Sequence, residues 1–267
     1  MTRPSNWHDD DGFKYRLFPA KTEKPECLIV YLHCLEGEAE LPPNYLRELR
    51  EKIPGADVIA LQAPIKVIKS PRFPNPKGYM WFPFGGSILS QVETWFTHLF
   101  KRLTIAEQVE AFTQGQLAKR GLTEDNLAYY GYSMGGIVAL QTGLTGKKPV
   151  AAIVSRSSAV VPFTRVKSKS KVFLQMGELD DGFNRPMPPL PQKGFLKQVF
   201  TAVANRLSLR HVNSVQRLQW QNVPVTEKVY PKQIHEQTYD AWKDAVDFMA
   251  KALARPQPQP QPKPPTA

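Results

Sequence analysis

A serine with glycine two residues before it and two residues after it is the first feature of this chain suited to covalent chemistry. Ser133 lies in Gly131-Tyr132-Ser133-Met134-Gly135-Gly136, entered by the apolar run "NLAYYGYS" (126–133) and left by the helix-like run "MGGIVALQTGL" (134–144). A hydroxyl on a tight turn between a strand and a helix projects from the sheet edge, and small residues on either side relieve crowding there. The backbone N–H of Met134, at the start of the helix, is aimed where a developing oxyanion would sit. A glycine-rich turn with no chemistry has the same five letters, so the reading depends on partners elsewhere in the chain.

A serine hydroxyl is a weak nucleophile and needs a base. The histidines are His8, His33, His98, His211 and His235. His8 lies in an acidic terminus expected to be mobile, His98 in a helical segment, and His211 in a polar stretch that reads as surface. His33 precedes the serine by a hundred residues and belongs to a turn. His235 follows the last strand-like run and precedes an amphipathic helix, so its loop can reach over a serine at the sheet edge. The base needs an orienting acid. "FLQMGELDDGF" supplies Asp180 and Asp181 at the end of the fifth apolar run. A second oxyanion donor is expected in "LHCLEG" (32–37), where the N–H of Leu35 is the candidate.

These residues require elements to carry them. "CLIVYLH" (27–33), "ADVIALQAP" (56–64), "NLAYYGYS" (126–133), "VAAIVSRSS" (150–158) and "KVFLQMGE" (171–178) are short and apolar on both faces, as buried parallel strands are. "VTEKVYP" (225–231) reads as an edge strand, and "FKYRLFP" (13–19) as an antiparallel edge strand. Helices are expected at 41–53, 90–103, 104–119, 134–144 and 236–253, with a further helix-like run after Gly194. The break at 104 rests on two capping-box spacings, Ser90 with Glu93 and Thr104 with Glu107. Alternating strands and helices predict an α/β fold with one mostly parallel sheet and helices on both faces. The segments 69–86 and 184–194 are proline-rich loops, and 255–267 is a Pro/Gln tail expected to be disordered.

Composition limits the function classes. The chain has 267 residues, 42% of them hydrophobic, which is enough for a large core. No run of 18 apolar residues exists, and the start lacks a charged-then-apolar secretory pattern. Its two cysteines, Cys27 and Cys34, are poor material for a disulfide scaffold, so a cytoplasmic setting is the default. The formal charge of +11 is spread out, densest in "RVKSKSK" (165–171). No aromatic residue interleaves with that run and no nucleic-acid motif occurs, so a nucleic-acid partner is not expected. A solvated loop is the plain reading of the run, and weak attraction to anionic membrane surfaces the sharper one.

On these motifs the chain resembles the phospholipase/carboxylesterase branch of the α/β-hydrolases, which includes acyl-protein thioesterases. The resemblance runs from about Cys27 to Leu253. "GYSMGG" is similar to the family's nucleophile turn, Gly177-Glu178-Leu179-Asp180 to its G-x-x-D turn, and His235-Glu236 to its final histidine before a helix. The G-x-x-D turn favours Asp180 over Asp181. "LHCLEG" matches the family's L-H-G-x-G-like loop with Cys34 in place of a glycine. Trp81-Phe82 resembles its "W-F" segment, with Pro83 in place of the usual acid, and is assigned to substrate binding on that basis. No glycine stands close before His235, and the stretch from Asp180 to His235 is long. The additions near 69–103 and 184–200 are expected to form a cap or acyl-binding wall, with Phe82, Phe84, Trp95 and Phe195 as its apolar candidates.

The resemblance implies one α/β-hydrolase domain over 1–254 and a serine hydrolase acting on carboxylic esters or thioesters of small molecules or lipids. Ser133, His235 and Asp180 would be its triad and Leu35 and Met134 its oxyanion donors, with neither metal nor organic cofactor required. The chain is expected to be a monomer or a homodimer. The competing reading is a binding protein on the same fold with weak or lost chemistry. It would use Arg185-Pro186-Met187-Pro188-Pro189-Leu190-Pro191, which fits an R-x-x-P-x-x-P ligand for SH3-like domains.

Overall fold

The computed structural model describes residues 7–69, 73–83, 88–183 and 210–254, with the backbone alone over 88–103. Phe84, Phe195, the side chain of Trp95, the R-x-x-P-x-x-P motif and the tail therefore lie outside the described residues.

The apolar runs form the middle of one sheet. In chain order its strands are β1 (Trp7–Asp10), β2 (Phe13–Phe18), β3 (Cys27–Leu32), β4 (Ala56–Leu61), β7 (Leu127–Tyr132), β8 (Ala152–Arg156), β9 (Val172–Gly177) and β10 (Val225–Tyr230). Their spatial order is β1-β2-β4-β3-β7-β8-β9-β10. From β4 to β10 every neighbouring pair is parallel, while β1 and β2 join antiparallel at one side. Two short strands, β5 (Ile65–Lys66) and β6 (Tyr79–Met80), pair separately. Every residue of β3, β4, β8 and β9 is buried. That explains why these runs are apolar on both faces rather than alternating.

Successive side chains supply two cores. Leu28, Val30 and Leu32 of β3 join one cluster, and Cys27, Ile29 and Tyr31 join the other. The first cluster is covered by α2 (Ile88–Arg120), α3 (Met134–Thr145) and α4 (His211–Trp220). The second is covered by α1 (Pro43–Lys52) and α5 (Tyr239–Leu253). Helix α1 begins with Pro43 in its first turn, where a missing N–H costs nothing, and carries Arg50 and Lys52 at its negative end. On the second face Trp242 is fully buried, stacked on Tyr45 at 4.9 Å and edge-on to Tyr130 at 4.8 Å, with its indole N–H donating to the Tyr45 carbonyl at 3.0 Å. Aromatic pairs of this kind add about 1 kcal/mol each beyond area burial.

Four expectations change. The helices over 90–103 and 104–119 are one continuous helix, because the Thr104–Glu107 spacing falls where the backbone never leaves the helical ladder. The acidic start around His8 is a strand; it pairs with β2, and the His8 ring stacks on Tyr15 at 5.1 Å. The β2 strand is antiparallel as expected, but β1 covers it and takes the edge. The polar stretch holding His211 is helix α4, and His211 is buried with its ring against Glu227 at 2.8 Å. By contrast β10 is the sheet edge that its exposed polar residues suggest.

The long helix is tied to the sheet at its C-terminal end. Arg120 Nε donates to Asp57 Oδ2 at 2.8 Å, both side chains are about nine-tenths buried, and Asp57 Oδ1 accepts the Ala20 N–H at 2.8 Å. Removing one member leaves a poorly solvated charge behind. Arg120→Ala is expected to lower stability by about 3 kcal/mol, read as a fall in the urea midpoint.

Candidate active site

The strand-to-helix turn at residue 133 is under local strain. Ser133 has φ +54° and ψ −118°, a conformation that side-chain-bearing residues rarely adopt, and its N–H donates to the Arg156 carbonyl at 2.9 Å. The flanking glycines are explained by close approach. A Cβ on Gly131 would lie 2.3 Å from the Gly135 carbonyl oxygen, and one on Gly135 would lie 2.1 Å from that of Leu32. The turn thus brings β7, α3 and the end of β3 together more closely than any other residue allows.

Three side chains from separate loops meet at the C-terminal edge of the sheet. His235 Nε2 is 2.9 Å from Ser133 Oγ, and His235 Nδ1 is 3.0 Å from both carboxylate oxygens of Asp180. With Nδ1 donating to Asp180, Nε2 is left as the acceptor facing the serine hydroxyl. Asp180 is 0% exposed, whereas the His235 side chain is 36% exposed. Burial pushes the Asp180 carboxyl upward. Hydrogen bonding from His235, the nearby Ser157 hydroxyl (off the alignment of a full hydrogen bond), the His235 charge and the Gly182 N–H at 3.0 Å outweigh it. The carboxyl is therefore held below the usual carboxylate range. Asp181, the neighbouring candidate, is exposed.

The loop after β3 is braced from below. His33 Nε2 accepts the Ala63 N–H at 3.1 Å and lies 3.2 Å from Gln62 Nε2, so Nδ1 carries the proton and donates to the Cys34 carbonyl at 2.7 Å. Burial pushes the imidazole down to about 4, which keeps it neutral in this role. Trp81 Nε1 donates to the His33 carbonyl at 2.8 Å, and the Trp81 N–H meets Met134 Sδ at 3.4 Å. Among the described residues, the N–H groups of Leu35 and Met134 have no hydrogen-bond acceptor. Trp81 and Phe82 are corrected: each is 1% exposed and packed in the core, so they offer no wall to a ligand. The Trp81 indole supports the loop from behind instead, through the His33 carbonyl. Cys27 and Cys34 are both free thiols.

Comparison with known proteins identifies the frame. The sequence pattern of the phospholipase/carboxylesterase family matches residues 20–216. The chain belongs to the phospholipase/carboxylesterase family. No curated protein matches its sequence. Among solved structures, an esterase, PE8, is similar at 22% identity with a TM-score of 0.68, covering 90% of this chain and 99% of that one. A carboxylesterase from Mesorhizobium loti is similar at 16% identity and TM-score 0.60, covering 92% and 99%. A Bacillus cereus carboxylesterase is similar at 15% identity and TM-score 0.58, covering 90% and 94%. At these identities the likeness establishes the α/β-hydrolase fold, and the family establishes a carboxylesterase/phospholipase-type hydrolase.

One residue ties the two halves of this constellation together. Arg156, at the end of β8, gives its carbonyl to the Ser133 N–H and is 0% exposed. Its guanidinium donates from Nε to the Glu236 carbonyl at 3.1 Å and from Nη2 to Gln233 Oε1 at 2.8 Å, and it lies over the Tyr230 ring at 4.9 Å. The loop that carries His235 is thus gripped on both sides of the histidine. Tyr132 adds a hydrogen bond from its hydroxyl to the His235 carbonyl at 3.1 Å. The rings of Tyr132 and Phe183 both stack with the imidazole, with centroids at 5.5 and 5.8 Å. Sequence reasoning passed over Arg156, Tyr132 and Phe183. The available signal was a charge at the end of an otherwise apolar strand in "VSRSS", since arginine is almost never fully buried without a partner.

Two outcomes follow. Arg156→Met keeps volume but removes both donors, and is expected to lower kcat for ester hydrolysis by about 10- to 100-fold while KM changes little, with Arg156→Lys in between. The His33 folded value lies below its unfolded value near 6.5, so the unfolded chain binds more protons between these limits. The site's contribution to stability is complete above about pH 6.5 and is lost as pH falls toward 4. From neutral pH to about pH 4.5, urea unfolding should show wild type losing about 2–3 kcal/mol more than His33→Asn does.

Proposed function

We propose that this chain hydrolyses carboxylic esters or thioesters with Ser133 as the nucleophile. The observation that carries the reading is the imidazole of His235, within hydrogen-bond reach of Ser133 on one nitrogen and of Asp180 on the other. Ser133 Oγ bonds to the acyl carbon while its proton passes to His235 Nε2. The carbonyl oxygen takes the negative charge, and the free N–H groups of Leu35 and Met134 are its donors. Collapse of the tetrahedral species breaks the bond to the alcohol or thiol, which leaves with the proton from Nε2. Water then repeats the sequence on the acyl-enzyme and releases the acid. Asp180 fixes the tautomer and stabilises the imidazolium throughout. Met134 stands at the positive end of α3, which adds to oxyanion stabilisation.

The strained backbone at Ser133 supports the same reading, since such strain persists where the surroundings enforce it. A fluorophosphonate probe is expected to label wild type at residue 133. Ser133→Ala should lose labelling and reduce p-nitrophenyl ester turnover by about 10⁴-fold or more while remaining folded. A folded wild type that neither reacts with the probe nor turns over esters of any acyl length would overturn the proposal.

A further inference from the structure

The densest basic run of the sequence is also the most regular exposed feature of the described surface. From Phe163 to Lys171 the chain alternates without a break: Phe163, Arg165, Lys167, Lys169 and Lys171 are exposed, and the residues between them face inward. Those inward residues are pinned. Thr164 Oγ1 donates to Gln141 Oε1 at 2.9 Å, Ser168 Oγ donates to the Gly143 carbonyl, and Ser170 Oγ accepts the Val150 N–H at 2.9 Å. The backbone is held as well, with the Lys167 N–H on the Leu144 carbonyl at 2.8 Å and Gln221 bridging Val166 N and Thr164 O. Here the anchoring fixes four cations at alternate positions of one segment.

The row has no internal counter-charge. Phe163, Arg165 and Lys167 line one side of a cleft of about 830 Å³ that Glu107, Glu110 and Glu124 also line. Of these, Glu124 pairs with Lys148 at 3.4 Å and Glu110 accepts the Lys147 N–H. Among the described residues none of the four row cations forms an ion pair. At the head of the row Phe163 sits at φ +62° and is 73% exposed, so its strain is not offset by burial of the ring. A fixed line of cations with an exposed aromatic at one end fits a surface that is anionic at its face and apolar just beneath.

We propose that Phe163, Arg165, Lys167, Lys169 and Lys171 form a docking edge for anionic lipid bilayers, the cations on headgroups and the phenyl ring in the acyl boundary. Duplex nucleic acid satisfies the charge, but its stacked bases offer the phenyl ring no apolar layer to enter. Lys171 leads into the N-terminal end of β9, whereas Ser133, Asp180 and His235 follow the C-terminal ends of β7, β9 and β10. A six-residue strand spans about 20 Å, so Lys171, at the foot of the row, stands about that far from the chemical edge. This inference concerns tethering and does not depend on the chemistry of Ser133.

The test is co-sedimentation of the full chain with vesicles of phosphatidylcholine, with and without phosphatidylserine. Wild type should bind the serine-lipid vesicles, release them as salt rises, and bind pure phosphatidylcholine poorly. Replacing Arg165, Lys167, Lys169 and Lys171 by Gln should weaken binding by about fivefold for each cation removed. Lys21, Lys24, Lys66 and Lys251→Gln, which removes the same charge at scattered exposed positions, should weaken it far less. Phe163→Ala should lose about three- to tenfold with an unchanged salt slope. Circular dichroism establishes that each variant is folded, and hydrolysis of a soluble ester, where present, should proceed equally on bound and free protein. Equal losses in the row and scattered variants, no binding by wild type, or preference for duplex DNA with no effect of Phe163→Ala would each overturn the proposal.

Discussion

The left-handed serine at the end of β7 is the constraint on which the rest of the site depends. A strand that continues directly into a helix needs an abrupt change of direction, and Ser133 makes it at φ +54°. The bend is sustained because glycines at 131 and 135 let the carbonyls of Gly135 and Leu32 approach to distances that a Cβ would forbid. That approach brings the end of β3, and so the loop bearing Leu35, up to the start of α3. The Ser133 N–H is meanwhile fixed on Arg156, which makes the nucleophile turn part of the sheet edge.

Burial of charge then organises the other half. Arg156 is withdrawn from water, and its burial is offset by one carbonyl, one side-chain amide and one aromatic face, all contributed by residues 230–236. Losing a hydrated guanidinium is unfavourable, so the interaction favours only conformations in which this loop is in place. The same logic holds for Asp180, whose buried carboxylate is kept ionised by His235, Ser157 and Gly182. Two buried ions of opposite sign, each bonded to the loop of His235, define where the imidazole sits. The His33 brace works differently: it is neutral, and its two nitrogens join the β3 and β4 loop ends as an acceptor and a donor.

The fold therefore has two ends with different physics. At the C-terminal edge, strained turns and buried charges converge on one hydroxyl. Along the connection that leads into the start of β9, serines and a threonine turn inward, and the basic residues between them are held outward.

Much of this was legible in the residues themselves. Apolar runs buried on both faces specify β3, β4, β7, β8 and β9, because only a parallel sheet with helices on both sides hides them. The chain order of Ser133, Asp180 and His235, each after a strand, placed the three at one rim, because parallel strands deliver every following loop to the same edge. Local spacing misled where tertiary contacts overrode it: Thr104 sits inside a helix that packing keeps continuous, and His211 is buried because helix α4 faces Glu227. Trp81 and Phe82 carried a recognisable pattern, yet the pattern did not say which way the rings point; the core took them, and the indole N–H was left to hold the His33 carbonyl. Only the tertiary structure assigned Arg156, Tyr132 and Phe183 to the loop of His235, since these contacts join residues 52 to 103 positions apart. Periodicity along a chain encodes which face is buried. It does not encode which distant loop a buried charge will grip, because that is settled by the geometry of the packed sheet edge.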